Sequence, residues 1–171
     1  MKILTRLLLL AAALSLSACG FHMRGHNNMQ VKLAFDSVYL RYAGDSPFIA
    51  DLRKALALNK VTLTESAQEA TITLDIISET TDKLILSLSA AGKVTEYDLR
   101  YRVTMSAYDK QLAYWLPVAE VALNRTMTYD DAQVLAKEQE QAVLYRDMRT
   151  EAVAQVLRRL SRAKPPKDQG E

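Results

Sequence analysis

The most apolar stretch of the chain lies near its N-terminus, over residues 7–16, just after the basic residues Lys2 and Arg6. A helix that spans a membrane needs roughly 20 apolar residues, and this stretch is much shorter. A basic start, a short apolar run and a small residue at Ala18 are typical of a secretory signal peptide. We therefore predict that residues 1–18 are cleaved from the mature protein.

Downstream of this segment, the polar and irregular residues 19–30 predict a tether. The β-branched and aromatic side chains of residues 33–42 favour a strand. Ser46 followed by proline forms a typical helix start, and apolar residues then recur at helical spacing, so we predict a short amphipathic helix over residues 47–58. Asn59 is predicted to end that helix in the left-handed conformation.

Between residues 71 and 127 the hydrophobic pattern has the period of two that is typical of strands. It is clearest in residues 97–107, where apolar and aromatic side chains alternate with charged and hydroxyl side chains. The proline at position 117 predicts an edge strand or a bulge. Such alternation indicates an antiparallel sheet with one wet face. The strands predicted in this region cover residues 71–76, 83–89, 97–107 and 111–127.

A long amphipathic helix is predicted from about residue 132 to 161, after a capping pair at Asp130 and Asp131. Prolines and charged residues then predict a frayed tail over residues 163–171. The order β-α-β-β-β-β-α predicts an α/β (α+β) fold, a two-layer sandwich in which two helices cover one face of a mainly antiparallel four- to five-stranded sheet. We expect residues 31–162 to form this single domain.

Composition argues against several classes of protein. The chain has 22 basic and 20 acidic residues, so it lacks the basic excess of a typical nucleic-acid binder. Its single cysteine cannot form an internal disulfide, and His22 and His26 lie among glycines and asparagines that argue against a helical metal site. Nucleotide-binding and nucleophile-elbow motifs are absent from the sequence. We therefore expect no cofactor, no metal and no enzymatic activity.

The one cysteine lies directly after Leu16-Ser17-Ala18, at the predicted cleavage site. This placement resembles the bacterial lipobox, in which the cysteine thiol is acylated and the cysteine becomes the first residue of the mature protein. Gly20, rather than an aspartate, follows Cys19, and by the same resemblance the lipoprotein goes to the outer membrane, where several acyl chains hold it stably. The alternative is a simple secretory signal with an incidental cysteine.

Four basic residues are candidates for binding an anion. Removing residues 1–18 takes away two basic residues and no acidic ones, so the mature chain has 20 of each and an anion site depends on local placement. Arg100 and Arg102 share one face of a predicted strand, on which they suit a phosphate. Lys93 lies in the turn before that strand, and Lys137 lies near the start of the long helix. The alternatives are a solvated face balanced by carboxylates, and a protein contact through the tyrosines and tryptophan near the strand ends.

Three short motifs resemble one known family. The run that follows Ala18, CGFHMRG, looks like the mature start of the LPS-assembly lipoprotein LptE family. Residues 95–97 (TEY), after the glycine turn, resemble the start of that family's long strand, and residues 135–137 (LAK) resemble part of its C-terminal helix. The spacing of helix, strand region and helix is similar over nearly all of residues 19–162.

The resemblance implies a lipid-anchored protein without enzymatic activity that sits as a plug inside the outer-membrane barrel LptD, supports assembly of that barrel and contacts lipopolysaccharide. It also implies a two-layer α/β domain. In the family pattern the Lys137 position is basic and is implicated in contacting the glycolipid. Relatives can carry arginine where this chain has Ala90, with Lys93 nearby, and often carry glycine where it has Lys60.

From these observations we expect Lys137, Lys93, Arg100 and Arg102 to bind lipopolysaccharide, an amphiphile that carries phosphates. The expected partners are an LptD-like β-barrel, lipopolysaccharide and the outer membrane, and nucleic acid is not among them. The competing interpretation is a purely structural periplasmic scaffold that does not bind the glycolipid.

Overall fold

Five strands and two α-helices make up the fold in a computed structural model, which describes residues 31–165. This content confirms the predicted α+β class. In chain order the elements are β1 (Ser37–Tyr42), α1 (Pro47–Leu58), β2 (Thr62–Thr64), β3 (Ile72–Leu88), β4 (Val94–Tyr108), β5 (Tyr114–Thr128), a 3₁₀ turn (Asp131–Gln133) and α2 (Val134–Leu160).

The strands form one mixed sheet with the order β2-β1-β3-β4-β5. β1 pairs in parallel with both β2 and β3, while β3, β4 and β5 follow one another as antiparallel neighbours. Parallel strands need a crossover connection, and α1 provides it between β1 and β2. The prediction of a mainly antiparallel sheet is therefore confirmed, with parallel pairing around β1 that the alternation did not reveal.

The core lies between the helices and one face of the sheet. Both helices cover the same face, because their buried residues form one hydrophobic cluster with a single set of alternate strand residues. On β4, Leu99 and Met105 are fully buried, which confirms the predicted apolar face of this strand. Phe48 and Leu52 of α1 and Met148 of α2 are buried against them. Burying each such side chain stabilises the fold by roughly 1.5–3 kcal/mol.

β3 is a single strand of 17 residues, so the prediction of two separate strands at 71–76 and 83–89 is wrong. The two segments are continuous because β3 pairs with β4 along its length, with register shifts beside Ile77 and near the turn. The residues between the two segments are mostly polar, so the alternation that predicts a strand is missing there. Backbone pairing with β4 nevertheless keeps them extended.

The ends of α1 are set by two polar side chains. Ser46 is the N-cap, and its hydroxyl oxygen accepts a hydrogen bond from the backbone N–H of Ile49 (3.2 Å), as its sequence position predicted. The prediction that Asn59 is left-handed is wrong, because its φ is −89° and Lys60 has the positive φ of 62°. The side-chain amide of Asn59 donates to the Ala55 carbonyl (2.7 Å), so the left-handed residue comes one position later.

The remaining differences from prediction lie at the ends of other elements. α2 begins at Val134 because Asp130 first caps a 3₁₀ turn, in which its side chain accepts from the Ala132 N–H (2.9 Å). β5 is an edge strand with irregular register beside its proline, which confirms that prediction. β2 was not predicted, since three residues carry too little alternation. Most of the predicted tail, after residue 165, lies outside the described residues.

A partly buried carboxylate joins α1 to the sheet. Glu79 on β3 accepts hydrogen bonds from the Ser46 hydroxyl (2.6 Å) and from the Tyr101 hydroxyl of β4. Tyr101 is only 3% exposed, and its burial, together with the hydrogen bond to Glu79, raises the pKa of its hydroxyl above the ordinary value of 10.0. Glu79 therefore links the helix cap to the core of the sheet.

We expect Glu79→Ala to lower the free energy of unfolding by about 2 kcal/mol or more, since it leaves two partly buried hydroxyls without their acceptor. Urea denaturation followed by circular dichroism measures this. The control is Glu69→Ala, which removes an exposed carboxylate that makes no side-chain hydrogen bond or ion pair within residues 31–165 and should cost little. Equal losses in the two variants would contradict the linking role of Glu79.

Tyr101→Phe should change how stability depends on pH. The folded-state pKa of Tyr101 lies above the unfolded value of about 10, so the unfolded chain loses this proton first and the wild type loses stability as the pH rises past 10. The phenylalanine variant should be less stable than the wild type at pH 7, by about 1 kcal/mol, because it loses the bond to Glu79. Its deficit should shrink above pH 10, as measured by urea denaturation across the pH range. A deficit that stays constant up to pH 11 would contradict this assignment.

Candidate functional site

The end of the sheet at the β3–β4 turn forms a surface that we call the hairpin end. It consists of residues 83–97 and of residues 126–137, where β5 leads into α2. Gly92 has a positive φ of 74°, which allows the tight turn, and its N–H donates to the Ser89 carbonyl (2.9 Å). The turn closes with a hydrogen bond from the Ser89 N–H to the Lys93 carbonyl (2.7 Å), which fixes the backbone beneath Lys93.

Two of the four predicted binding residues, Lys93 and Lys137, each contact the connection between β5 and α2. The Lys93 ammonium lies 3.6 Å from a carboxylate oxygen of Asp131, and its side chain is 71% exposed. The Lys137 ammonium donates to the hydroxyl of Thr128 (3.0 Å) and to the carboxylate of Glu140 (2.8 Å), and its side chain is 15% exposed. Lys93 is thus the accessible cation of the pair, and Lys137 is held in place.

The other two predicted residues, Arg100 and Arg102, lie apart from the lysines on the face of the sheet opposite the helices. Their positions on β4 alternate with the buried core residues, as predicted. Arg100 donates through Nε to Asp98 (2.6 Å) and Arg102 donates through Nη2 to Asp82 (2.6 Å). The alternative of a face balanced by carboxylates is therefore partly correct. Glu96 takes no part in these two pairs and instead accepts from the Ser87 hydroxyl (2.8 Å).

A third lysine at the hairpin end was not among the predicted binding residues. The Lys83 ammonium lies 4.1 Å from the ring centre of Tyr97 and 5.6 Å from that of Tyr129. The two rings meet edge to face, with centres 5.1 Å apart. Such cation–π contacts are worth roughly 0.5–1 kcal/mol at exposed sites. The sequence signal is a lysine and two tyrosines at strand ends, but only the strand register brings them together.

Exposed apolar side chains lie among these cations. Some belong to the distal part of β3, the part next to the β3–β4 turn, which the helices do not cover. The others belong to the start of α2. Exposed apolar patches rimmed by polar residues are typical of interaction sites. The exposed apolar side chains of the hairpin end are Leu84, Ile85, Leu86, Leu88, Val134 and Leu135.

The hairpin end thus suits a ligand that has both an anionic group and an apolar part. The lysines offer ammonium donors, and the leucines offer surface from which a hydrocarbon chain would exclude water. Within residues 31–165, no group of three or more histidine, cysteine, aspartate or glutamate side chains is arranged to hold a metal ion. The chemistry that the lysines and leucines support is binding of such a ligand.

The aromatic residues considered for protein contact are divided between the two ends of the sheet. Tyr129 lies at the hairpin end. Tyr108 and Tyr114 meet edge to face at the opposite end, with ring centres 6.2 Å apart. Trp115 packs against Phe35 with ring centres 6.4 Å apart, so it belongs to the side of the core. They do not form one surface.

The predicted lipid-attachment residue, Cys19, and the tether around it lie outside the described residues. In the part of the chain that is described, neither helix combines the length and the apolar character that crossing a membrane requires. Cys19 therefore remains a sequence-based prediction.

Comparison with known proteins identifies the family. A family model described as "LptE: Lipopolysaccharide-assembly" matches residues 35–160. The chain belongs to the LptE family. The LPS-assembly lipoprotein LptE of Photorhabdus laumondii is 27% identical over 162 residues, which cover 93% of this chain and 85% of the relative. That of Yersinia pestis is 31% identical over 165 residues, which cover 93% of this chain and 75% of the relative.

Solved structures share the fold of this LptE family member. The solution NMR structure of an uncharacterized lipoprotein B from Nitrosomonas europaea has a TM-score of 0.70 and 33% identity, and the match covers 83% of this chain and 90% of that one. The crystal structure of the rare lipoprotein B from Shewanella oneidensis has a TM-score of 0.64 and 24% identity, covering 71% and 91%. At this lower identity the likeness concerns the fold alone.

Proposed function

We propose that this protein is a non-enzymatic, lipid-anchored outer-membrane protein that binds lipopolysaccharide, sits as a plug inside an LptD-like barrel and supports assembly of that barrel. The model of its family is described as lipopolysaccharide assembly, which supports a role for this protein in that process. The observation that carries the binding step is the hairpin end, where one turn and its flanking strands carry both an accessible lysine and exposed leucines.

Lys93 can give up its present partner at little cost. An exposed ion pair such as Lys93–Asp131, at 3.6 Å, contributes roughly 0–1 kcal/mol. A charge-assisted hydrogen bond from Lys93 to a phosphate gains strength where the bound hydrocarbon excludes water from the contact. Lys137 contacts the same connection and is already oriented by Thr128 and Glu140, so its side chain would lose little entropy on donating to an anion there.

The arginines provide a second set of donors along the open face. A guanidinium has five N–H donors, and the hydrogen bonds from Arg100 to Asp98 and from Arg102 to Asp82 each use one. Arg100 lies six residues beyond Val94, the neighbour of Lys93 at the start of β4, which corresponds to about 20 Å along the strand. The arginines therefore contact a different part of a long glycolipid from the part that the lysines contact.

A purely structural scaffold is the second candidate. The observation that favours it is that Arg100 and Arg102 are both paired with aspartates inside the sheet, so these cations already stabilise the domain. A scaffold of this kind contacts the barrel, and its association with that barrel does not depend on cations that bind a glycolipid.

Replacing Lys93, Lys137 and Arg100 together by alanine should weaken binding of purified lipopolysaccharide at least about tenfold, since even one charged hydrogen bond is worth about 1.5 kcal/mol. Fluorescence or calorimetric titration of the full chain in detergent measures this. Wild-type affinity should also fall as salt is added, because the contacts are partly exposed.

The matched control removes the same charge elsewhere, at Lys32, Lys54 and Lys164, which are exposed and lie outside the hairpin end. Its affinity should stay near that of the wild type. Unchanged affinity in the hairpin-end variant would overturn the binding assignment. If that variant also co-purified normally with a large β-barrel from outer membranes, the scaffold would be the better description, whereas recovery of the wild type without any barrel would overturn the proposed partner.

Cys19→Ala should abolish incorporation of labelled palmitate and move the protein from the membrane fraction to the soluble fraction, because the variant has no thiol to acylate. Metabolic labelling followed by membrane fractionation checks both results. Ser17→Ala, which keeps a small residue two positions before the cysteine, is the control and should remain labelled. Palmitate incorporation that persists in Cys19→Ala would contradict anchoring at this residue.

A further inference from the structure

The turn between β4 and β5 holds a leucine in an unusual, exposed position. Leu112 has a positive φ of 63° and is 72% exposed. The Asp109 carboxylate stabilises this turn by accepting from the N–H groups of Gln111 (3.0 Å) and Ala113 (2.9 Å), and the Leu112 N–H donates to the Asp109 carbonyl (3.1 Å). A left-handed residue other than glycine is strained, and such strain persists where the surrounding structure imposes it. The turn thus presents an apolar side chain to the outside at an energetic cost.

The neighbours of Leu112 have the chemistry of residues found at a membrane surface. Tyr114 is 54% exposed and packs edge to face on Tyr108, which holds its ring at the surface. Lys110, in the same turn, is also exposed. Tyrosine is enriched at the boundary between membrane and water, and lysine can extend its ammonium to lipid phosphates while its hydrocarbon stem stays in apolar surroundings.

This turn lies at the end of the sheet where the described chain begins, which we call the tether end (residues 31–37, 58–62 and 108–115). The Val31 N–H donates to the side chain of Asn59 (2.7 Å), and Phe35 packs on Trp115 beside Tyr114. Leu58, at the end of α1, adds a second exposed apolar side chain at the same end.

The number of residues between Cys19 and Val31 limits the distance between the proposed anchor and this end of the sheet. Twelve residues lead from Cys19 to Val31, and an extended chain of that length reaches about 40 Å at most. The hairpin end lies farther away, since the 15 residues of β4 span about 50 Å. An acylated Cys19 therefore keeps the tether end within about 40 Å of the lipid surface, whereas the hairpin end is under no such limit.

We infer that Leu112, Tyr114 and Lys110 contact the lipid surface in which the N-terminal acyl chains are inserted. Leu112 enters the boundary between headgroups and acyl chains, Tyr114 lies at the level of the headgroups, and Lys110 binds lipid phosphates. This inference rests on the proposed anchoring at Cys19. We favour the lipid surface over a protein partner because the proposed lipid anchor is only 12 residues away from this end along the chain.

The test uses the full acylated chain in vesicles of phosphatidylethanolamine and phosphatidylglycerol. Acylation consumes the only natural thiol, so Leu112→Cys introduces a single reactive site for an environment-sensitive fluorophore. The matched control is Val143→Cys on α2, an exposed apolar position (43%) that lies outside both the tether end and the hairpin end. We expect the probe at position 112 to shift its emission to the blue and to be quenched by nitroxides on the lipids, while the probe at position 143 does neither.

Flotation of the labelled chains with the vesicles separates this inference from the proposed function on which it rests. If the chains float but the probe at position 112 remains in water, anchoring stands and the membrane contact is wrong. If the chains do not float, the proposed anchoring fails and the inference fails with it. If the probe at position 112 is shielded only when a co-purified barrel is present, the turn contacts protein and the inference is overturned. Circular dichroism of each variant verifies that it is folded.

Discussion

The architecture depends on a mismatch between the length of the central hairpin and the cover that the helices provide. β3 has 17 residues, which span about 55 Å, whereas the 12 residues of α1 span only about 18 Å. α2 is longer but packs mainly on β4 and β5, and it reaches β3 through a hydrogen bond from the Tyr145 hydroxyl to the Asp82 carbonyl (2.8 Å). The proximal part of β3 is therefore buried in the core, and its distal part stays outside. One continuous strand thus belongs to the core at one end and to a candidate binding surface at the other.

The cations of the domain also fall into two groups, those in close ion pairs and those that are largely exposed. Residues 19–171 include equal numbers of basic and acidic residues, and most of the strand cations have close partners, as Arg102 has in Asp82 and Arg125 has in Glu151. Such pairs hold neighbouring elements together and leave little net field. Lys93 differs because its carboxylate lies at 3.6 Å and its side chain is mostly exposed. Local exposure, rather than total charge, therefore makes the hairpin end the attractive surface for an anion.

Sequence reasoning succeeded where the signal was local. The cap at Ser46 and the alternation through Leu99 and Met105 depend on neighbouring residues only, so α1 and the buried face of β4 were predictable. The continuity of β3, the parallel pairing of β1 and the stacking of Lys83 on Tyr97 depend on strand register, which the alternation does not specify. The exposure of the distal leucines depends on the length of a different element.

The two ends of the sheet carry different side chains, and they lie far apart along β4. The tether end carries Leu112 and Tyr114, close to where the described chain begins, whereas the hairpin end carries Lys93 and a group of leucines. The ends lie about 50 Å apart along β4, farther than a 12-residue tether can reach. If Cys19 is the anchor and the tether end contacts the lipid surface, as we propose, the hairpin end can extend as far as that separation from the membrane. Its exposed leucines would then be available to an amphiphile, as the proposed binding of a glycolipid requires.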